Sequence, residues 1–274
     1  MNERPANSVS RENPLPLKCS NVFRGVRASI GVFVFLFTAA LASGRIVSAH
    51  PLSGDDASTK PPAIVFGFVG GFIAHDNPVH SEVQLAARLR KQYPTGVNVE
   101  TFESYRGKRA RREILHLLDT NHDGTLSVSE KVEARIIIYG HSWGGAESIT
   151  LANALEKDGI PVLLTIQVDS VSRFGGNDKI IPANVAQAAN FYQPDGLVHG
   201  EHDIHAADTA RTRILGNFRF DYKKSTLNCA KYPWYDRIFV KPHTQIECDP
   251  VIWDRVESLI RANLPQATPS ASTQ

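Results

Sequence analysis

Hydrophobic positions along the chain alternate between two rhythms. AIVFGFV at 63–69 is a continuous apolar run bounded by proline and glycine, the pattern of a strand buried on both faces. The loop GGFIAHDNPVH leads from it into SEVQLAARLRKQY at 81–93, where Val83, Leu85, Ala86 and Leu89 recur at roughly helical spacing behind Ser81 as a cap candidate. VNVETFE then reads as a strand, KRARREILHLLD as a helix, ARIIIYG at 134–140 as a strand, 144–157 as a helix and PVLLTIQV as a strand. Beyond residue 170 the rhythm weakens. QAANFYQ and ILGNFRFDY still look like strands, and Val251, Val256, Leu259 and Ile260 stripe a closing amphipathic helix within DPVIWDRVESLIRANL. Strands alternating with helices at short spacing predict an α/β fold with a mainly parallel central sheet and helices on both faces.

The chain has 274 residues, 42% of them hydrophobic, enough for one sizeable core. Thirty basic and 28 acidic residues leave a net charge of +2, too little to argue for a nucleic-acid partner. The basic stretch RGKRARRE at 106–113 reads as the solvated face of a helix. The N-terminus differs in kind: Lys18, Arg24 and Arg27 precede ASIGVFVFLFTAALA, and small residues ending in VSA at 47–49 follow. That order predicts a secretory signal over 1–49 cleaved after Ala49, because the apolar run falls short of the ~20 residues that span a bilayer. An uncleaved membrane anchor is the alternative, and only then would the chain contact a membrane. The expected layout is a linker at 50–61, one domain at 62–264 and a disordered tail at 265–274. Export would leave Cys229 and Cys248 as an even pair in an oxidising compartment, which predicts one disulfide, while Cys19 departs with the signal.

The candidate chemistry begins at GHSWGG, which fits G-x-S-x-G with Gly140, Ser142 and Gly144. A serine at a sharp strand-to-helix turn adopts a strained backbone, and side chains two residues to either side would collide there. The strand formers IIIY before the motif and a helix-forming segment after it supply the context that the motif needs. On these residues the chain resembles the α/β-hydrolase family, particularly its lipase, esterase and thioesterase branches, over roughly 62–264. The resemblance implies Ser142 as nucleophile, with an acid and then a histidine later in the chain. Asp169 in QVDSV and Asp195 in QPDG each follow a strand and are both admissible. Asp169 is the first choice, since QPDG is an ordinary turn composition. His243, between the last strand and the closing helix, stands where the family places its base. His199, His202 and His205 in HGEHDIH compete with it, as a solvated loop, a lid or a metal cluster, and His141 is expected to point elsewhere by strand alternation. By the same resemblance the oxyanion donors are the backbone N–H of Trp143 and that of Gly71 or Phe72.

A second motif precedes the first. DTNHDGTLSVSE at 119–130 fits the EF-hand calcium loop: Asp119, Asn121 and Asp123 at positions one, three and five, Gly124 at the sharp turn, the Thr125 carbonyl at seven, Ser127 at nine through water and Glu130 at twelve. The same Ser127 and Glu130 also spell a helix capping box. One unpaired loop with little room for an exit helix predicts structural Ca2+, not a sensor. The whole reads as an exported serine hydrolase of small-molecule or lipid carboxylic esters or thioesters. The alternative is a non-catalytic calcium-dependent binding module on the same scaffold. The segments 194–212 and YPWYDRIF at 232–239 are candidates for a lid.

Overall fold

The computed structural model describes residues 60–173 and 176–266. The expected secretion signal, nearly all of the linker and most of the tail lie outside the described residues. Among the described residues no helix is long and apolar enough to cross a membrane.

The elements run β1 (Ala63–Val69), α1 (Ser81–Gln92), β2 (Val97–Glu103), α2 (Gly107–Leu118), α3 (Val128–Val132), β3 (Ile136–His141), α4 (Trp143–Lys157), β4 (Val162–Val168), β5 (Ile180–Ile181), β6 (Val185–Tyr192), β7 (His205–Ala206), β8 (Arg213–Arg219), α5 (Trp234–Phe239), α6 (Lys241–Cys248) and α7 (Pro250–Ala262). Six strands form one sheet in the order β2-β1-β3-β4-β6-β8. Every neighbouring pair in it is parallel. The two-residue strands β5 and β7 pair separately. This is the α/β-hydrolase arrangement expected from the sequence.

Strand alternation divides the core in two. Val65, Ile137, Tyr139, Leu164 and Ile166 face Leu85, Ala86 and Leu89 of α1 and Trp253, Val256 and Ile260 of α7. Their neighbours Ile64, Phe66, Phe68, Ile136 and Ile138 face Ala110, Ile114 and Leu118 of α2 and Ile149, Ala152 and Leu155 of α4. Both sheet faces are therefore covered, which explains why β1 and β3 are apolar without interruption. Gly67 serves this packing, because a Cβ there would sit 2.5 Å from the ring of Tyr139, its partner in register.

The strand order also selects a place for chemistry. The chain leaves β1 for β2 on one side and returns to β3 on the other, so the topological switch lies between β1 and β3. Ligands of open parallel sheets bind at that crevice, outside the C-terminal strand ends. The loop beginning at Gly70 and the turn at Ser142 both emerge there.

One local expectation needs correcting, and two segments gain a defined structure. Ser81 does not cap α1; His80 holds the N-cap position without a side-chain cap bond, its ring being turned to Glu247 at 2.6 Å instead. The region around His243 is helical, with Pro242 near the start of α6. Residues 234–239, treated as lid sequence, form the short helix α5 with no buried residue.

Candidate active site

Ser142 stands where β3 turns into α4, with φ 55° and ψ −126°. L-residues rarely adopt this conformation, and it persists only where the surroundings over-determine it. Here they do. A Cβ on Gly140 would lie 2.4 Å from the Gly144 backbone, and one on Gly144 would lie 2.2 Å from the Phe68 carbonyl oxygen. The two motif glycines are needed because main chains touch at both positions. Ser142 N–H donates to the Val168 carbonyl at 3.0 Å, and its own carbonyl accepts from Val171 N–H at 3.1 Å, which locks the turn against the end of β4.

Asp169 follows β4 directly, fully buried. Its carboxylate accepts from His243 Nδ1 at 2.6 Å, from Gln193 Nε2 at 2.8 Å, and from the backbone N–H of Gly200 at 2.7 Å and of Gln193 at 3.3 Å. Four donors converging in this way fix the orientation of the carboxylate. Asp195 lies elsewhere: it accepts from Tyr222 N–H at 3.2 Å and meets Lys223 at 3.4 Å. The structure therefore brings Asp169 and His243 together, and neither of Asp195's partners is His243. No hydrogen bond joins the His243 ring to the Ser142 hydroxyl among the described residues; such bonds are often long without substrate and tighten when it binds.

The competing histidines do not assemble into a site, although the rings of His199 and His202 lie 5.4 Å apart. His199 Nδ1 meets the Gly200 carbonyl at 3.2 Å, His202 stacks on Tyr192 at 4.9 Å, and His205 belongs to β7. Among the described residues they form no three-ligand metal group. His141 does not simply point away from the chemistry, for its ring packs on that of His243 at 4.5 Å.

Trp143 is the first residue of α4, so its N–H is one of the helix's free donors. Gly71 has φ 47° with open space where a Cβ would be, and its carbonyl accepts from Ser104 Oγ at 2.8 Å. The close approach to the serine is made by Gly70, where a Cβ would lie 3.2 Å from Ser142 Cβ. Phe72 is 86% exposed and meets the Trp143 ring edge-on at 5.2 Å. Phe72, Tyr105, Trp143 and Arg173 line an open groove of about 460 Å³ beside these loops. Trp234, Tyr235, Ile238 and Phe239 of α5 are exposed and take no part in lining it.

Sequence reasoning missed Gly70, Gln193 and Gly200. Gly200 had a signal in hindsight only as a glycine inside a histidine-rich loop; a Cβ there would lie 2.4 Å from the Asp169 backbone.

In the 119–130 loop Asp119, Asp123 and Glu130, all among the described residues, are not gathered into a three-ligand metal group; their carboxylates accept bonds from the loop itself. Gly124 has φ 82°. Asp119 accepts from Asp123 N–H at 3.2 Å and Gly124 N–H at 3.0 Å, and Asp123 accepts from Thr125 N–H at 2.8 Å. Glu130 accepts from Thr120 N–H and from Ser127 N–H, each at 2.9 Å, and so forms the capping box of α3. The Ser127 hydroxyl, donating at 2.8 Å, together with these backbone bonds holds the Glu130 carboxyl down at about 2. The donor set is the oxygen-only set that suits calcium. Cys229 and Cys248 are joined in a disulfide, Cα to Cα 5.9 Å, which ties the end of α6 to the preceding loop.

No protein-family model matches the chain. No curated protein matches it either. Solved structures similar to it include a thermostable esterase from Pseudomonas putida at 10% identity and TM-score 0.40, covering 77% of each chain. Others are the RedJ thioesterase of the prodiginine pathway in Streptomyces coelicolor, at 10% and 0.38 over 80% of this chain and 98% of that one, and an acetylxylan esterase, at 11% and 0.35 over 75% and 99%. Likenesses of this size are no warrant for chemistry, which rests on the geometry of the site itself.

Proposed function

We propose that the protein is a serine hydrolase of carboxylic esters or thioesters that works through an acyl-enzyme. What carries this reading is one juxtaposition: a serine held at φ 55° at the sheet's switch point, next to a buried carboxylate with a histidine ring nitrogen 2.6 Å from it. Ser142 Oγ attacks the acyl carbon while its proton passes to His243 Nε2, and Asp169 holds the opposite ring nitrogen in its donor tautomer. The oxyanion is received by the N–H of Trp143 and of Gly71 or Phe72. His243 then returns the proton to the departing alcohol or thiol, and water releases the acyl group from Ser142. The groove at Phe72, Tyr105 and Trp143 gives an apolar wall for a small-molecule or lipid ester, with the Arg173 guanidinium 5.1 Å above the Trp143 ring. The disulfide supports export to an oxidising compartment.

Asp119, Asn121, Asp123, Thr125, Ser127 and Glu130 would hold a structural Ca2+. The ion would neutralise three carboxylates at the entry to β3.

A fluorophosphonate probe should label the protein, with labelling and turnover of aryl esters both lost in Ser142→Ala. A folded wild type that neither reacts nor turns over would leave a binding module on a hydrolase scaffold.

A further inference from the structure

Behind the His243 ring, on the sheet face covered by α1, four ionisable side chains from three separate elements meet out of water. His80 precedes α1, Glu82 lies in its first turn, His141 ends β3 and Glu247 lies on α6. They are 4, 0, 3 and 5% exposed. His80 Nδ1 is 2.6 Å from Glu247 Oε1; His141 Nδ1 is 3.4 Å from Glu247 Oε2 and 3.9 Å from Glu82 Oε1. Ligand atoms of His80, Glu82 and Glu247 all lie within 4.8 Å of one another. Both Glu82 oxygens and His141 Nε2 have no hydrogen-bond partner.

A fully buried carboxylate without a single donor is an arrangement that proteins avoid, because desolvation of the charge goes uncompensated. No lysine or arginine compensates here: among the described residues the ion-pair partners of Glu82 and Glu247 are histidines only. Two carboxyl groups and two imidazoles gathered out of water supply the donor set of a doubly charged cation.

We propose that His80, Glu82, His141 and Glu247 form a structural site for one divalent transition-metal cation, zinc by its donor set. Two imidazole nitrogens and two carboxylate oxygens suit four-coordinate zinc. Metal–ligand bonds of about 2.0–2.1 Å in a tetrahedron place neighbouring ligand atoms ~3.3 Å apart. The observed separations of 2.6, 3.4 and 3.9 Å straddle that value; His80, Glu82 and Glu247 already lie within 4.8 Å of one another, and His141 becomes the fourth ligand by a side-chain movement toward them. Zinc takes the place of the protons that burial would otherwise keep on the two carboxyls, and its binding releases them. Four protein ligands leave no open position, which makes the ion structural and not a Lewis acid for the ester.

The placement gives the ion a task. Glu247 lies one helical turn after His243 on α6, and His141 immediately precedes Ser142. A metal shared by the two ties the helix that carries the histidine to the strand that presents the serine. These four are positioning residues in that sense.

The test needs no substrate. The full chain, purified without a histidine tag from zinc-supplemented medium, should contain one zinc per molecule by elemental analysis. Removal with 1,10-phenanthroline, which leaves calcium in place, and titration with cobalt(II) should give the intense visible bands of four-coordinate cobalt at a 1:1 endpoint. Glu82→Gln and Glu247→Gln should abolish those bands, and His80→Gln should weaken zinc at least tenfold. Should the glutamate variants not fold, the wild-type stoichiometry and spectrum decide alone. Absence of zinc, together with no cobalt bands and no rise in Tm on adding zinc, would overturn the site in favour of carboxyls that share protons. Weak octahedral cobalt that persists in folded Glu82→Gln would equally overturn it, as adventitious binding to surface histidines.

Discussion

Asp169 accepts four hydrogen bonds, one of them from His243 at 2.6 Å, whereas Asp195 is occupied by Tyr222 and Lys223. Converting Asp169 to Asn places an amide where three donors besides the ring converge and favours the wrong histidine tautomer. We therefore expect kcat on an aryl ester to fall about 10⁴-fold in Asp169→Asn and far less in Asp195→Asn; steady-state kinetics of the two variants, ranked the other way, would exchange their roles. A second residue gives a pH signature. Glu147, half-buried on α4, has its carboxyl raised from 4.5 to about 6, chiefly by burial. A carboxyl raised in the fold favours the folded state most when protonated, so its contribution is fully present below pH 4.5 and lost as pH rises through about 6. The Tm of Glu147→Gln relative to wild type should rise across that window and then level off; a pH-independent difference would show that the carboxyl titrates normally. At this scale the sequence order Ser142, Asp169, His243 was readable because each follows or precedes a recognisable element. Gln193 and Gly200 were not, since they meet Asp169 only through pairing between β4 and β6.

The strand–turn–helix from β3 to α4 stores strain at one residue, and that strain is measurable. Glycine visits φ 55° freely, while alanine keeps the Cβ that makes it costly. Ser142→Gly and Ser142→Ala should both abolish turnover, yet the glycine variant should be more stable than the alanine variant by about 1 kcal/mol, a Tm difference of roughly 2–4 °C for a domain of this size. Equal melting temperatures would mean that the turn is relaxed in solution. Elements with a strong period were legible to within a few residues: the uninterrupted apolar runs of β1 and β3 could only be doubly covered strands. The helices α5 and α6 were not, at six and eight residues, because neither is long enough to repeat an apolar stripe. α6 is tied down by tertiary links that no local stripe announces, the Cys229–Cys248 disulfide and the His80–Glu247 hydrogen bond.

At the scale of the whole molecule, the calcium loop and the serine sit at opposite ends of one strand. Glu130 is in α3, which leads into β3, and Ser142 leaves from the other end; the six residues of β3 at about 3.3 Å each put roughly 20 Å between them. An ion at that distance cannot polarise an acyl carbonyl. Its proposed role is to bind the folded chain and not the unfolded one, and so to raise stability by mass action. The buried His80, Glu82, His141 and Glu247 cluster, in contrast, adjoins His243, so the two ions must be restored separately. Protein stripped with EGTA, desalted and given back zinc alone should have a lower Tm than the same protein given zinc and calcium, while turnover per active site, counted by fluorophosphonate titration, stays within about twofold below the transition. Asp119→Ala and Glu130→Ala should reproduce the lower Tm and make it insensitive to added calcium. Rapid, reversible loss of turnover on calcium removal from protein that circular dichroism shows to be fully folded would place calcium in the catalytic mechanism. An unchanged Tm would instead leave Glu130 as the cap of α3 and nothing more.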